Sequence, residues 1–238
     1  MVRNVGRGAA AVAVAALLAG CASGASEPSA GAGAGSAGPS AKAGVSPSAE
    51  AGAKAGASAS PGVTAAAKGG TVGAAGSACP LPVTFDVAAG WKPKKVEPLD
   101  DPDLAELNDL LEQGTVTMAC EIDAKPAGNI GFLRVWTDDA KGAAPRTVLE
   151  SFVAADDSPS SVVYRDVRVG RGGALAATEV TYTVMSELLD EPKKARALAV
   201  ATPRGPLVLE LGGMDSEEHD AMLPAYELAK GSLAATGG

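Results

Sequence analysis

The sequence predicts an α+β fold in which helices flank a single antiparallel sheet, preceded by a disordered linker. Three observations lead to this prediction. Several short segments alternate apolar and polar residues with a period of two, which is typical of strands. Short glycine-bearing turns join many of these segments, so the strands pair antiparallel. Residues 22–78 contain no Leu, Ile, Met or aromatic residue, so they cannot form a core.

The N-terminus has the features of an export signal. Arg3 and Arg7 precede the apolar run Ala9–Ala19, which is too short to span ~30 Å of hydrocarbon as a helix. This arrangement predicts a signal peptide over residues 1–20. An ordinary signal peptide followed by a chance cysteine remains the alternative.

The stretch "LLAGC", Leu17 to Cys21, resembles the lipobox of bacterial lipoproteins. That resemblance implies cleavage before Cys21, diacylglycerol on its thiol and a further acyl chain, such as palmitate, on the new amino group. Two or three acyl chains hold a protein stably, because each buried CH₂ contributes ~0.8 kcal/mol. The expected location is the extracytoplasmic face of the bacterial cell membrane, with Cys21 as the anchor.

Residues 21–78 are predicted to be the lipidated N-terminus and a disordered tether rich in Ala, Gly, Ser and Pro. Only Val45, Val63 and Val72 could add to a core, so the tether cannot offset its ordering entropy. As a random coil it would span about 40 Å. The folded domain is then predicted to cover residues 79–238.

The predicted domain is acidic, with 15 Lys and Arg against 26 Asp and Glu from Cys79 onward. This charge argues against binding nucleic acid, which requires clustered basic residues, and against direct contact with an anionic membrane surface. It is compatible with loosely held cations or a basic partner. Solubility alone also explains it.

Cys79 and Cys120 are an even pair in a chain predicted to be exported, which favours a disulfide. A loop of this size gives roughly 4 kcal/mol by the chain-entropy estimate. A zinc site lacks ligands, since the chain has no C-x-x-C motif and His219 is its one histidine. Free thiols are the remaining alternative. No metal or cofactor is predicted.

The first half of the domain alternates strands and helices. A strand is predicted around Val83–Val87, and a helix follows with Asp101 as cap, Pro102 at its first position and Gly114 at its end. One stripe of that helix is predicted to pack on the sheet: Leu104, Leu107, Leu110 and Leu111. Strands at "TVTMACEI" and "NIGFLRVWT" follow, and a second helix starts near Pro145.

The second half of the domain is predicted to form two hairpins and a closing helix. The hairpins turn at "GRGG" (170–173) and at Arg204-Gly205. The closing helix is capped by Asp215, and Pro224 inside it predicts a kink or a second helix. The predicted order is β-α-β-β-α-β-β-β-β-α.

An opening strand that ends in "AAGW", hairpins around an interior strand and a closing helix that ends in "LAKGSL" resemble the PsbP-like α/β sandwich. They resemble most its exported actinobacterial lipoproteins of the LpqN type. The resemblance covers most of residues 79–238. It implies a non-enzymatic binding or assembly module and supplies no catalytic residues. The Ala- and Gly-rich composition also favours an actinobacterial source.

Few residues suggest chemistry. His219 is expected to be an exposed helix residue, and no G-x-S-x-G motif accompanies it. The acidic groups at 100–103 and 215–220 are expected to cap helices rather than bind a metal. Trp91 and Trp136 are the best candidates to line a pocket, with burial in the core as the alternative.

The function that fits these observations is a membrane-anchored binding or assembly module of the cell envelope, which is not an enzyme. Its partner would be another envelope protein or a small apolar ligand, with no nucleic acid involved. The alternative is a cell-envelope hydrolase that uses carboxylates, such as Asp138-Asp139 or Asp156-Asp157, if they converge across a cleft.

Overall fold

The chain builds two antiparallel sheets instead of one. The computed structural model describes Ser60, residues 62–186 and residues 188–236. Within that part of the chain, one sheet has eight strands and the other has three. The α+β class is therefore confirmed, and the prediction of a single sheet is wrong. Cys21, the signal peptide and most of the predicted tether lie outside the described residues.

The strands, in chain order, are β1 (Lys68–Val72), β2 (Val83–Ala88), β3 (Lys92–Lys95), β4 (Glu112–Gln113), β5 (Val116–Asp123), β6 (Gly131–Thr137), β7 (Ser160–Val169), β8 (Leu175–Ser186), β9 (Glu191–Thr202), β10 (Gly205–Gly213) and β11 (Ala234–Ala235). The small sheet has the order β1-β2-β11. The large sheet has the order β3-β5-β6-β10-β9-β8-β7, and β4 pairs with β5. The two predicted hairpins are the β7–β8 and β9–β10 pairs, which confirms them.

Two α-helices flank the large sheet: α1 (Pro145–Ala154) and α2 (Ser216–Ser232). Both were predicted, and Asp215 caps α2 as expected, its Oδ1 accepting from the N–H of Glu218 at 2.8 Å. Pro224 lies inside α2, which continues as one helix. Three 3₁₀ helices complete the described part: Pro102–Leu111, Lys125–Ala127 and Arg171–Gly173. No helix of the described part is long and apolar enough to cross a bilayer.

The strand alternation divides the core between the two faces of the large sheet. One face packs against α2 and the small sheet, around Phe85, Leu209 and Tyr226. The opposite face packs against α1, around Trp136 and Phe152. The two rings meet edge to face with their centroids 5.5 Å apart. Each helix therefore buries its apolar stripe on a different side of one sheet.

The predicted disulfide is confirmed, since Cys79 and Cys120 are bonded and both are fully buried. Cys120 lies on β5 in the large sheet, while Cys79 lies just before β2 of the small sheet. The bond thus ties the two sheets together at the α2 side of the core.

The folded part begins well before Cys79, so the predicted boundary of the tether is wrong. Strand β1 pairs antiparallel with β2, and Val72 is 1% exposed in the core. Backbone hydrogen bonds of a sheet need no large side chains, so the poor apolar content of this segment does not prevent pairing. Gly69 even requires a small residue, because a Cβ there would lie 2.6 Å from the Cα of Ala89.

The first predicted helix is a 3₁₀ helix, and its leucines do not pack on the sheet. Asp101 caps it as expected, its Oδ1 accepting from the N–H of Asp103 at 3.0 Å. None of its residues is buried, and Leu110 is 72% exposed. Leucines three residues apart share a face both in an α-helix and in a 3₁₀ helix, so the spacing cannot tell the two apart.

Alanine substitutions at two neighbouring glycines test the contact between β1 and β2. We expect Gly69→Ala to lower the free energy of unfolding by about 1–3 kcal/mol, because its Cβ would press on the backbone of Ala89. Gly70→Ala is the matched control, since no atom lies within 4 Å of its Cβ. Urea unfolding of both variants measures the difference. Equal stability of the two would mean that β1 does not pair as described.

Candidate functional site

A cavity of about 420 Å³ lies beside α2, against the α2-facing side of β7, β8 and β9. Its apolar walls include Val63, Val163, Val167 and Leu223. Its polar lining includes Glu179, Arg196 and Lys230 next to α2, and Ser60, Arg165, Asp166 and Thr181 elsewhere in the wall. A cavity with apolar walls and a few convergent polar groups is the usual form of a small-molecule site.

The polar lining next to α2 belongs to a cluster of four charged side chains, called here the charge cluster: Glu179 of β8, Arg196 of β9, and Glu227 and Lys230 of α2. Alternation along β8 and β9 turns Glu179 and Arg196 toward α2. Glu227 and Lys230 are three residues apart on the buried face of α2. The four groups therefore meet between sheet and helix.

Lys230 lies at the centre of the charge cluster. Its Nζ is 2.9 Å from Oε1 of Glu179 and 3.4 Å from Oε1 of Glu227, and its side chain is 2% exposed. Nη1 of Arg196 lies 3.7 and 3.8 Å from the same two oxygens. Two cations thus balance two anions, which is the arrangement that makes buried charge tolerable.

The phenol of Tyr226 adds one more hydrogen bond to the charge cluster. The hydroxyl of Tyr226 donates to Oε1 of Glu179 at 2.8 Å, and burial raises the pKa of Tyr226 well above its usual value, so this phenol stays protonated. Nε of Arg196 is buried and has no hydrogen-bond partner among the described residues.

The end of the predicted tether covers this site. We call Ser60 and residues 62–67 the strap. The hydroxyl of Ser60 donates to Oε1 of Glu227 at 2.6 Å and accepts from Nη1 of Arg196. Val63 forms part of the cavity wall, and the N–H of Ala66 donates to the carbonyl of Pro224 at 2.8 Å. The strap is therefore fixed to α2 at two points.

The opposite face of the sheet carries a second polar group around Glu210. Nε1 of Trp136 donates to Oε2 of Glu210 at 3.1 Å. Burial raises the pKa of Glu210, and the guanidinium of Arg134 opposes that shift. Burial also raises the pKa of Asp156, whose Oδ2 has no hydrogen-bond partner in the described part of the chain. If the protein were a hydrolase, Asp156 and Glu210 would be its candidate carboxylates.

Two hollows open on this second face, of about 400 and 230 Å³. Lys193 and Met214 line both, so the hollows adjoin. Asp156 lines the first together with Leu188, and Glu210 lines the second. Among the described residues, no group of three or more His, Cys, Asp or Glu side chains is placed to hold a metal ion.

The predicted pocket residues lie in different places. Trp91 is 7% exposed and lines an alanine-rich cavity of about 280 Å³ beside α2. Trp136 is 3% exposed and lies in the core on the α1 side of the sheet, where it packs on Phe152 and donates to Glu210. Neither lines the cavity under the strap, and Cys21 lies outside the described residues.

His219 is buried, and the expectation of an exposed residue is wrong. It is 2% exposed, and burial, with Arg196 nearby, lowers its pKa to about 4. The imidazole is therefore neutral at neutral pH, and its Nδ1 has no partner among the described residues. Its position was readable from the sequence, because His219 is in phase with Met222 and Tyr226 on the buried stripe of α2.

The sequence reasoning missed the charge cluster altogether. The signal was a charged residue in phase with apolar neighbours: Glu179 and Arg196 occupy inward positions of apolar strands, and Lys230 occupies the buried stripe of α2. Ser60 carried no signal, since its segment looks like a linker.

Comparisons with known proteins give one family and a distant fold relative. The sequence matches the family Lipoprotein_23, described as "Uncharacterised lipoprotein", over residues 48–233. A comparison with curated proteins gave no match. The solution structure of cyanobacterial PsbP (CyanoP) from Synechocystis sp. PCC 6803 is similar at a TM-score of 0.46 and 11% identity, covering 75% of this chain and 98% of that chain.

The charge cluster makes Lys230 essential for stability. We expect Lys230→Met to cost about 3–5 kcal/mol, because it leaves two buried carboxylates with one cation. Lys194→Met is the matched control: its pair with Asp220 is half exposed and should cost no more than about 1 kcal/mol. Urea unfolding compares them. A loss of the same size in both variants would contradict the described burial of Lys230.

Proposed function

The chain belongs to this family of lipoproteins, and on that premise we propose that its folded part is a binding module for one small amphiphile. Family membership confirms the sequence-based prediction of a lipoprotein. The match begins at residue 48, so the strap belongs to the family region. The ligand would lie in the cavity under the strap, between α2 and strands β7 to β9.

The observation that carries this proposal is the bonding of Ser60. Its hydroxyl donates to Glu227 and accepts from Arg196 at the charged end of an apolar cavity. Only a group that both donates and accepts, such as a hydroxyl, makes both bonds. A ligand with an apolar body and a hydroxyl-bearing head would fill the cavity and put its hydroxyl in place of that of Ser60.

We propose that the module acts outside the cytoplasm, held to the cell membrane by acyl chains on Cys21. A lipoprotein family supports membrane anchoring. An exported location also suits the Cys79–Cys120 disulfide, which persists in oxidising surroundings. The proposal includes no catalytic step.

A hydrolase remains the second candidate, because Asp156 and Glu210 both have raised pKa values on the α1 side of the sheet. A carboxyl whose pKa lies nearer neutrality is suited to act as a general acid. The two proposals place the ligand on opposite faces of the sheet, so one binding experiment separates them.

We expect a fluorescent monoacylglycerol to bind the full chain, and Leu223→Trp to abolish binding by filling the cavity. Leu188→Trp is the matched control: it introduces the same ring at a 77% exposed position that lines a hollow on the other face. Fluorescence titration of both variants measures the affinities. Loss of binding in Leu188→Trp with retention in Leu223→Trp would place the ligand beside Asp156 and contradict this proposal.

The anchor has its own test. Mass spectrometry of the native N-terminus should show an acylated Cys21, and Cys21→Ser should abolish both the cleavage before residue 21 and the lipid attachment. The thiol is required because the lipid is joined through a thioether. A Cys21→Ser protein that is cut at the same bond and stays equally bound to membranes would contradict the anchor.

A further inference from the structure

The 3₁₀ helix Pro102–Leu111 has a sequence pattern with a period of three. A 3₁₀ helix has about three residues per turn, so side chains three apart eclipse and those of successive turns lie ~6 Å apart along the axis. Leu104, Leu107 and Leu110 therefore form one straight row, which we call the leucine row. Asp103, Glu106 and Asp109 form the row beside it, which we call the acidic row.

The described part of the chain covers the leucine row only in part. Leu104 is 42% exposed, Leu107 is 47% exposed and Leu110 is 72% exposed. The helix is held by a different row, in which Asn108 makes two hydrogen bonds to the backbone of Leu99, at 2.7 and 3.1 Å. The leucines thus take no part in the hydrogen bonds between Asn108 and Leu99. A fixed row of exposed leucines typically marks an interaction surface.

The charge of the segment is one-sided. Between Asp100 and Glu112 the chain has six acidic residues and no Lys or Arg. A symmetric contact of this helix with its counterpart in a second copy would bring the acids of both together, and an anionic lipid surface would repel them as well. A favourable partner must therefore place positive charge beside the acidic row and apolar surface over the leucine row.

We propose that this helix docks on another protein, in an apolar groove bordered by Lys or Arg side chains. The leucine row would enter the groove, and the acidic row would pair with the basic border. Because the helix is already formed and tied to Leu99, docking needs little further ordering of the chain. This contact is independent of the cavity under the strap, so either proposal can fail without the other.

The test uses the full chain in its native membrane, with a photo-crosslinking amino acid in place of Leu107. The same amino acid in place of Leu188, which is 77% exposed near the tip of the β8–β9 hairpin, is the control. We expect one protein to be linked from position 107 and not from position 188. Mass mapping should place the link at apolar residues next to Lys or Arg.

Charge is tested in the same assay. A triple variant with Asp103→Lys, Glu106→Lys and Asp109→Lys should lower the crosslink yield by about tenfold. Raised salt should lower the crosslink yield of the unchanged chain. The neutral variants Asp103→Asn, Glu106→Gln and Asp109→Asn should give an intermediate loss. All of these residues are exposed, so thermal unfolding should show unchanged stability.

Four results would overturn the proposal. They are a link to a second copy of the chain, a link to lipid, equal linking from position 188, and no link from position 107. A crosslink yield that does not change when the charges are reversed would exclude a border of Lys or Arg side chains on the partner.

Discussion

The arrangement of the domain depends on the neutral charge cluster of Glu179, Arg196, Glu227 and Lys230. Four ionised groups removed from water are unfavourable unless each meets an opposite charge at short distance. Helix α2 pairs with the strands through Lys230 with Glu179 and through Glu227 with Arg196, so these two contacts fix the position of the helix on β8 and β9. Ion pairs of this kind are better understood as fixing one arrangement than as adding stability.

The strap extends this constraint to the segment that precedes β1. Ser60 bonds to Glu227 and Arg196, and the segment from Ser60 to β1 therefore belongs to the folded part. The chain that leads back toward Cys21 thus begins at the wall of the proposed ligand site. In the proposed binding mode, a ligand head that takes the place of the Ser60 hydroxyl must move Ser60 out of these hydrogen bonds.

Local pattern predicted much of the fold. Alternation located β2 and β5, Pro145 marked the start of α1, and glycine turns located the two hairpins. The disulfide followed from an even cysteine pair in a chain predicted to be exported. These features depend on neighbours in sequence. The second sheet could not be predicted in this way. Strand β1 is stabilised by backbone pairing with β2 and by close packing at Gly69, which composition does not reveal.

The candidate site was the least predictable part. Its members come from the strap, from two strands and from α2, so no spacing in the sequence connects Ser60, Arg196 and Lys230. Arg196 and Lys230 are charged, and charged residues are usually exposed, although both lie between α2 and the sheet here. The leucines of the 3₁₀ helix gave the opposite error, because an apolar stripe was assigned to the core and lies exposed.

The most direct test is an experimental structure of the full chain with a monoacylglycerol bound. We predict the glycerol hydroxyls beside Arg196 and Glu227, the acyl chain between Val163, Val167 and Leu223, and Ser60 moved out of its present hydrogen bonds. A monoacylglycerol bound beside Glu210 instead, with Ser60 still bonded to Glu227, would contradict the account.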